Sequence, residues 1–179
     1  MNLIETEIAG IIIIEPRVFE DGRGYFFETY NEKIWAEAGL DTRFVQDNES
    51  SSTYGTIRGL HRQVGEYAQA KLVRAVSGCV LDVAVDLRKD SPTYGRHVAV
   101  ELSGENKRQV FIPRGCAHGF SVLSESATFV YKCDNFYAPR AESGVRCDDL
   151  ALGIDWRISH EKRILSEKDL QLPLLADLC

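Results

Sequence analysis

No Cys-x-x-Cys pair occurs in this chain, and its cysteines number five: Cys79, Cys116, Cys133, Cys147 and Cys179. An odd count without that spacing argues against both a disulfide framework and a cysteine zinc site, so the thiols read as reduced and mostly structural. Long apolar runs are also missing. The longest near the amino terminus, Ile11 to Ile14, is far too short for a membrane span, and no basic stretch precedes it. The expectation is a cytoplasmic protein that does not enter a membrane. Positive charge is scarce as well: 21 Lys and Arg against 27 Asp and Glu leave a formal charge of -6. That balance argues against coating nucleic acid or binding an anionic membrane, so any anionic ligand must be met by a few local cations. Repeats, low-complexity stretches and Gly/Ser/Pro-rich linkers are absent, and 44% hydrophobic residues in 179 suffice for one sizeable core, so residues 1–179 read as a single domain.

From Thr56 onward, short β-branched runs alternate with turn residues: TIRGLH, KLVRAVSG, CVLDVAVDL, RHVAVEL, QVFIP, HGFSVL and ATFVYKCDNF. Regular short strands of this kind suggest a sandwich or closed barrel. In CVLDVAVDL, Val80, Asp82, Ala84 and Asp86 share one face while Leu81, Val83, Val85 and Leu87 share an apolar one. Ser77-Gly78, Ser103 to Asn106 and Pro113 to Gly115 read as turns, each an antiparallel connection. Helical signals are few. Asn31 can cap a short helix through Ala38 that Gly39 ends, and Ser166 to Asp169 resembles a capping box. YFFETY reads as a further strand, an edge able to pair with a second subunit, which makes a homodimer the expectation.

The densest polar cluster is RGLH, with Lys71 ten residues beyond His61. Strict strand alternation puts Arg58 and Leu60 on one face and Gly59 and His61 on the other. A lone histidine is more often structural, but Pro113-x-Gly115-x-x-His118 adds a second one at the start of a strand, in the spacing of the second cupin signature. Paired cupin histidines commonly bind metal. Here, however, His61 is followed by Arg62 and Gln63 where a second histidine belongs, with no carboxylate four residues on, and Lys71 adds repulsive charge. No metal is therefore expected, which leaves His61 available for proton transfer at cellular pH when a carboxylate fixes its tautomer. Asp82, Asp86 and Asp169 are all candidates for that carboxylate. Tyr131 can present its hydroxyl inward as an acid, and Lys71 can stabilise an enolate. No Rossmann or P-loop glycine pattern occurs, so Arg23 and Arg58 are the candidates for holding a phosphate. For each of these residues a core, capping or surface role is the plainer alternative.

Taken together, these residues resemble the dTDP-4-dehydrorhamnose 3,5-epimerase family, a cupin group that makes deoxysugar nucleotides for cell-surface polysaccharide. The resemblance runs through DGRGYFFETYNE, FVQDNES, RGLHRQ, AQAKLVRAVSG, DVAVDLRKDSPTYG, ENKRQVFIPRGCAHGF, VYKCDNFY, GIDW and LSEKD. It implies a homodimeric, mainly β jelly-roll barrel with a few short peripheral helices. It also implies a pocket for a dTDP-linked 4-keto-6-deoxyhexose, without metal or organic cofactor, and inversion at C3 and C5. His61 matches the proton acceptor, Asp169 its acidic partner, Tyr131 the opposing donor and Lys71 the enolate-steadying residue. Arg23, Glu28, Gln46, Asn48, Arg58, His118, Glu142 and Lys168 match nucleotide- or sugar-binding positions, the amino-terminal ones in a neighbouring subunit's pocket.

Three residues depart from the family pattern: Arg62 stands where an aromatic follows the histidine, Cys116 replaces phenylalanine before Ala-His-Gly-Phe, and Cys147 replaces tryptophan before Asp-Asp. They are expected to change bulk or charge near the pocket and surface without removing a catalytic group. Competing readings are an epimerase acting at C3 or C5 alone, a ketoisomerase on the same pocket, a non-catalytic sugar-nucleotide-binding cupin, and a metal-dependent cupin oxygenase.

Overall fold

The computed structural model describes residues 1–178; Cys179 lies outside the described residues. The chain begins with β1 (Asn2–Glu5), β2 (Ile12–Glu15), a hairpin of β3 (Phe19–Asp21) and β4 (Gly24–Phe26), and helix α1 (Glu32–Glu37). Nine strands follow: β5 (Gln46–Thr53), β6 (Ile57–Gln63), β7 (Lys71–Ser77), β8 (Cys79–Asp86), β9 (His97–Ser103), β10 (Gln109–Ile112), β11 (Cys116–Val122), β12 (Ser126–Cys133) and β13 (Glu142–Gly144). Short 3₁₀ turns and helix α2 (Glu167–Leu170) complete the description. Every run read as a strand from Thr56 onward is one.

Two antiparallel sheets face each other, ordered β1-β2-β10-β7-β12-β5 and β13-β6-β11-β8-β9. The three turns at Ser77-Gly78, Ser103 to Asn106 and Pro113 to Gly115 correct the sequence reading. None joins hydrogen-bonded neighbours; each carries the chain from one sheet to the other. Turn chemistry marks where a strand ends but not which strand it pairs with, and repeated crossing gives the mainly β jelly roll that was expected.

Alternation sorts side chains into three layers. Inside the barrel, Val73, Val80, Ala84, Val110, Phe120 and Phe129 form the central core. The outward residues of the five-stranded sheet, among them Leu60, Leu81, Val83 and Val85, pack under Cys147, Leu152 and Trp156 of the carboxy-terminal segment. That covering explains why both faces of β8 are buried. On the other sheet, Ile14, Leu72 and Phe111 are covered by Trp35 and Leu40. Asn31 caps α1 by accepting the Ile34 N–H, and Gly39 follows at φ +83°.

The amino-terminal YFFETY run is less regular than read: only its first two residues lie in β4, which pairs with β3 alone. Phe19, Tyr25 and Phe26 on that hairpin are all more than half exposed.

At the end of β8, Asp86 is fully buried and accepts hydrogen bonds from Arg88 (2.8 Å), Ser91 (2.5 Å) and Thr93 (2.6 Å) of the long β8–β9 connection. Burial alone would raise this carboxyl, but those bonds hold it far below the usual carboxylate range. A depressed folded pKa contributes stability above the unfolded value, about 3.9, and loses it as pH falls toward the folded value. Asp86→Asn is therefore expected to destabilise the protein by about 3 kcal/mol at neutral pH. Thermal melts of both proteins should converge below about pH 4; a constant gap through the acid range would show that the charge of Asp86 is not what matters.

Candidate active site

Strict alternation fails at one place, and that place builds the site. Between β6 and β11, His61 pairs with His118 and Arg58 pairs with Phe120, so β6 carries one residue more than its partner. This is a β-bulge, and it turns Arg58 inward beside His61 instead of outward with Leu60 as expected. Gly59 occupies the bulge at φ +126°, and a Cβ there would lie 2.5 Å from the Cα of Gly119. Only glycine permits both that conformation and that approach.

The bulge opens onto a cavity of about 560 Å³ at one end of the barrel, lined by Arg58, His61, Lys71, His118, Tyr131 and Asp169, with Ser50, Ser166 and Lys168 among the others. The four candidate catalytic residues therefore share one cavity. Lys71 and Tyr131 come from the neighbouring strands β7 and β12, while His61 and His118 come from the opposite sheet. Phe129 stacks on Phe120 at 4.3 Å and on His118 at 5.9 Å, giving the barrel beneath them an aromatic packing layer.

The open choice among three aspartates is resolved by geometry. Asp169 Oδ1 lies 2.6 Å from His61 Nε2, and its Oδ2 accepts the Gly59 N–H at 3.4 Å. Asp82 instead meets His118 Nε2 at 2.7 Å, and Asp86 serves the β8–β9 connection. Ser166 caps α2 through the Asp169 N–H, as the capping box requires. The Asp169 carboxylate reaches His61 as well, so the helix start presents it to the base. Burial would raise the Asp169 carboxyl, but the hydrogen bond and charge of His61, with the Gly59 N–H and Ser166, hold it below its ordinary value.

Burial dominates the other groups. It lowers His118, against the pull of Asp82, and raises the Tyr131 phenol, which therefore stays protonated at neutral pH. Burial also lowers Lys71, whose Nζ lies 5.8 Å from the Tyr131 ring centroid and is paired in no salt bridge among the described residues.

Other predicted residues are placed less centrally. Gln46 and Asn48 share the inward face of β5 with Ser50, bond to each other at 2.9 Å, and tie to the Tyr137 N–H and to Cys133 Sγ. Glu142 is at the rim, bonded to Lys168 Nζ at 2.5 Å and to the Tyr137 hydroxyl. Arg23 and Glu28 do not join this cavity within the chain. Arg23 pairs with Asp21 on the β3–β4 turn, and Glu28 lines a separate depression with Asn31 and Trp35.

Arg62 needs correction too: it projects from the outer side of β6, away from the cavity, and donates to the carbonyls of Leu87 and Gly115. Cys116 and Cys147 are buried, and burial pushes their thiols up to about 12 and about 11. Sequence reasoning missed Ser50 and Ser52 on β5 and the Asp82 bond to His118. The alternating QDNESSST pattern was the available signal for β5, but it lacks the apolar residues that mark a strand.

Cupin histidines raise the question of a metal, and this donor set does not fit one. Each histidine turns a ring nitrogen to its own aspartate, Lys71 adds a cation beside them, and no group of three or more His, Cys, Asp or Glu among the described residues is placed for a metal. A carboxylate-braced imidazole sharing a cavity with a protonated phenol and a half-buried amine is instead suited to moving protons at carbon, which fits an isomerase on a cupin-like barrel.

Comparison with known proteins agrees. Residues 5–177 match the family model described as dTDP-4-dehydrorhamnose 3,5-epimerase. A Shigella flexneri protein of that name is 54% identical over 171 residues, covering 95% of this chain and 93% of its own. The crystal structure of the Elizabethkingia anophelis epimerase superposes with a TM-score of 0.94 at 55% identity, covering 99% of this chain and 97% of that one. A Legionella pneumophila dTDP-6-deoxy-D-glucose-3,5-epimerase in complex with dTDP-4-keto-L-rhamnose gives 0.93 at 48% identity, with coverage of 99% and 96%. This chain belongs to the dTDP-4-dehydrorhamnose 3,5-epimerase family.

The lowered amine suggests a test of how the site is balanced. A half-buried cation without an ion pair loses part of its hydration, and sites often carry such a cost for activity. Lys71→Met is expected to unfold at a higher temperature, by on the order of 1 kcal/mol, while losing turnover. A clearly destabilised variant would mean that Lys71 is well compensated in the folded chain.

Proposed function

We propose that the whole chain, acting as one domain, uses His61 as base and Tyr131 as acid to invert C3 and C5 of dTDP-4-dehydro-6-deoxy-D-glucose. The product is dTDP-4-dehydro-L-rhamnose, for dTDP-L-rhamnose biosynthesis in the cytoplasm. The 2.6 Å contact between His61 Nε2 and Asp169 Oδ1 carries this reading. A neutral imidazole that donates from Nε2 to the carboxylate keeps the lone pair of Nδ1, and Asp169 then stabilises the imidazolium formed when a proton is taken.

The C4 ketone acidifies the hydrogens on C3 and C5, so one base serves both carbons in turn. As each C–H bond breaks, its electron pair moves into an enolate whose oxygen carries the charge, and the Lys71 ammonium stabilises it. In a water-poor cavity that charge counts for far more than in solvent. Tyr131, kept as a phenol by burial, returns a proton to carbon from the other face, and the enolate collapses to the ketone with inverted configuration; solvent then takes the proton from His61 and returns one to Tyr131 before the second inversion. Arg58 is assigned to the diphosphate, with His118, Lys168, Gln46, Asn48 and Glu142 around nucleotide and sugar.

The exposed aromatics of the β3–β4 hairpin, together with the position of Arg23 and Glu28 outside the cavity, support a homodimer in which those residues complete a neighbouring subunit's pocket. No helix among the described residues is long and apolar enough to cross a membrane.

Following dTDP-4-keto-6-deoxyglucose by NMR in heavy water tests the reaction directly. Deuterium entry with inversion at both C3 and C5 is expected; exchange at one carbon alone would mean a single-site epimerase, and dTDP binding without exchange a binding protein. In the same assay His61→Ala is expected to slow exchange about 10²–10⁴-fold while still binding dTDP. Normal turnover by that variant would refute the base assignment. Tyr131→Phe should retain proton removal better than inversion, and unchanged inversion would take Tyr131 out of the mechanism.

A further inference from the structure

Among the buried polar side chains, Ser52 is the one that reaches toward the proposed diphosphate site without touching the reacting groups. It lies on the inward row of β5 at 8% exposure, and its Oγ accepts a hydrogen bond from Arg58 Nε at 3.0 Å. Strand β5 is at the edge of one sheet and β6 belongs to the other. The bond therefore spans the gap between the sheets at the cavity wall. We infer that Ser52 is a positioning residue that holds the Arg58 guanidinium in the orientation that receives the diphosphate, an inference that rests on the assignment of Arg58 above.

The chemistry of the arginine supports this. A guanidinium has one Nε–H and two terminal amino groups in a rigid plane. With Nε–H on Ser52, both terminal groups remain to meet a pair of phosphate oxygens in the parallel geometry that makes arginine selective for such anions. Arg58 forms no salt bridge among the described residues, and the hydrogen bond to Ser52 is the side-chain contact that restrains its head group. A long side chain ordered before binding has less freedom to lose when the ligand arrives. The bulge at Gly59 turns Arg58 toward the cavity, and Ser52 then fixes its head group. Serine suits the position because it is small enough to stay buried and needs only one acceptor lone pair.

Measuring dTDP affinity by calorimetry, with steady-state kinetics on the 4-keto sugar nucleotide, tests the inference in the full-length protein. Ser52→Ala is expected to raise the dTDP dissociation constant and KM together, about three- to tenfold, with little of the loss in kcat. Ser52→Thr, which keeps the hydroxyl on Cβ, should restore most of the affinity. In the Arg58→Ala background, Ser52→Ala should add no further loss, because the residue it positions is gone. Additive losses, or wild-type dTDP affinity in Ser52→Ala when Arg58→Ala binds weakly, would overturn the positioning role. Undiminished dTDP binding by Arg58→Ala would overturn the diphosphate assignment itself, and the role of Ser52 with it.

Discussion

The one-residue excess of β6 over β11 is the constraint on which the cavity depends. Without it, Arg58 would point into the outer layer with Leu60, and β6 would present His61 alone to the cavity. The excess is accommodated only because Gly59 and Gly119 let two backbones approach where a Cβ on Gly59 would sit 2.5 Å from the Gly119 Cα. The same bulge turns the Gly59 N–H toward Asp169. A single backbone irregularity thus aims the proposed phosphate-binding arginine and helps hold the carboxylate that braces the base.

Burial then differentiates chemically similar groups. Two histidines each meet an aspartate at almost the same distance, 2.6 Å and 2.7 Å, yet their surroundings differ. The His118 side chain is 7% exposed and packed on Phe129, whereas that of His61 is 40% exposed at the cavity. The first pair is suited to a fixed hydrogen-bonding wall, the second to exchanging a proton with a ligand. Desolvation acts on Lys71 and Tyr131 as well, lowering the amine and raising the phenol. An amine that is costly to keep charged gains most when an anion forms beside it, which is the physical basis of the role proposed for Lys71.

Much of this was legible in the sequence, because strand alternation and residue chemistry are local properties. The two faces of β8, the caps at Asn31 and Ser166, and the inward hydroxyl of Tyr131 were readable from short motifs, and the grouping of His61, Lys71 and His118 with it followed from the family resemblance. What was not readable is long-range. Turn residues at Ser77-Gly78 or Pro113 to Gly115 end a strand whichever sheet comes next, so crossing and hairpin look alike. Asp82, Asp86 and Asp169 are equivalent carboxylates until the fold brings one of them, 108 positions along the chain, to His61. Strand β5 escaped notice because its inward row is Gln46, Asn48, Ser50 and Ser52, polar residues that give no apolar alternation. The glycines of RGLH and AHGF were visible as letters, but that they cross each other at the bulge was not.

The departures from the family pattern fall in the layers around the cavity and leave its reacting groups intact. Arg62 follows the base in sequence, but alternation resumes after the bulge, so its side chain leaves on the opposite side and binds carbonyls at the ends of two neighbouring segments. Its Nε is nevertheless buried without a partner, a residual cost of putting a guanidinium in that outer layer. Cys147 sits beneath Trp156, whose indole N–H donates to its carbonyl at 2.7 Å, so the outer layer keeps a large aromatic close by. Cys116 faces inward among aliphatic residues of the core, where burial keeps its thiol protonated and apolar in character. Such replacements act on packing around the strands that carry the cavity residues. None of the three touches the bulge at Gly59 or the Asp169 bond to His61, whereas a Cβ at Gly59 or Gly119 would lie 2.5 Å from backbone atoms of the other strand.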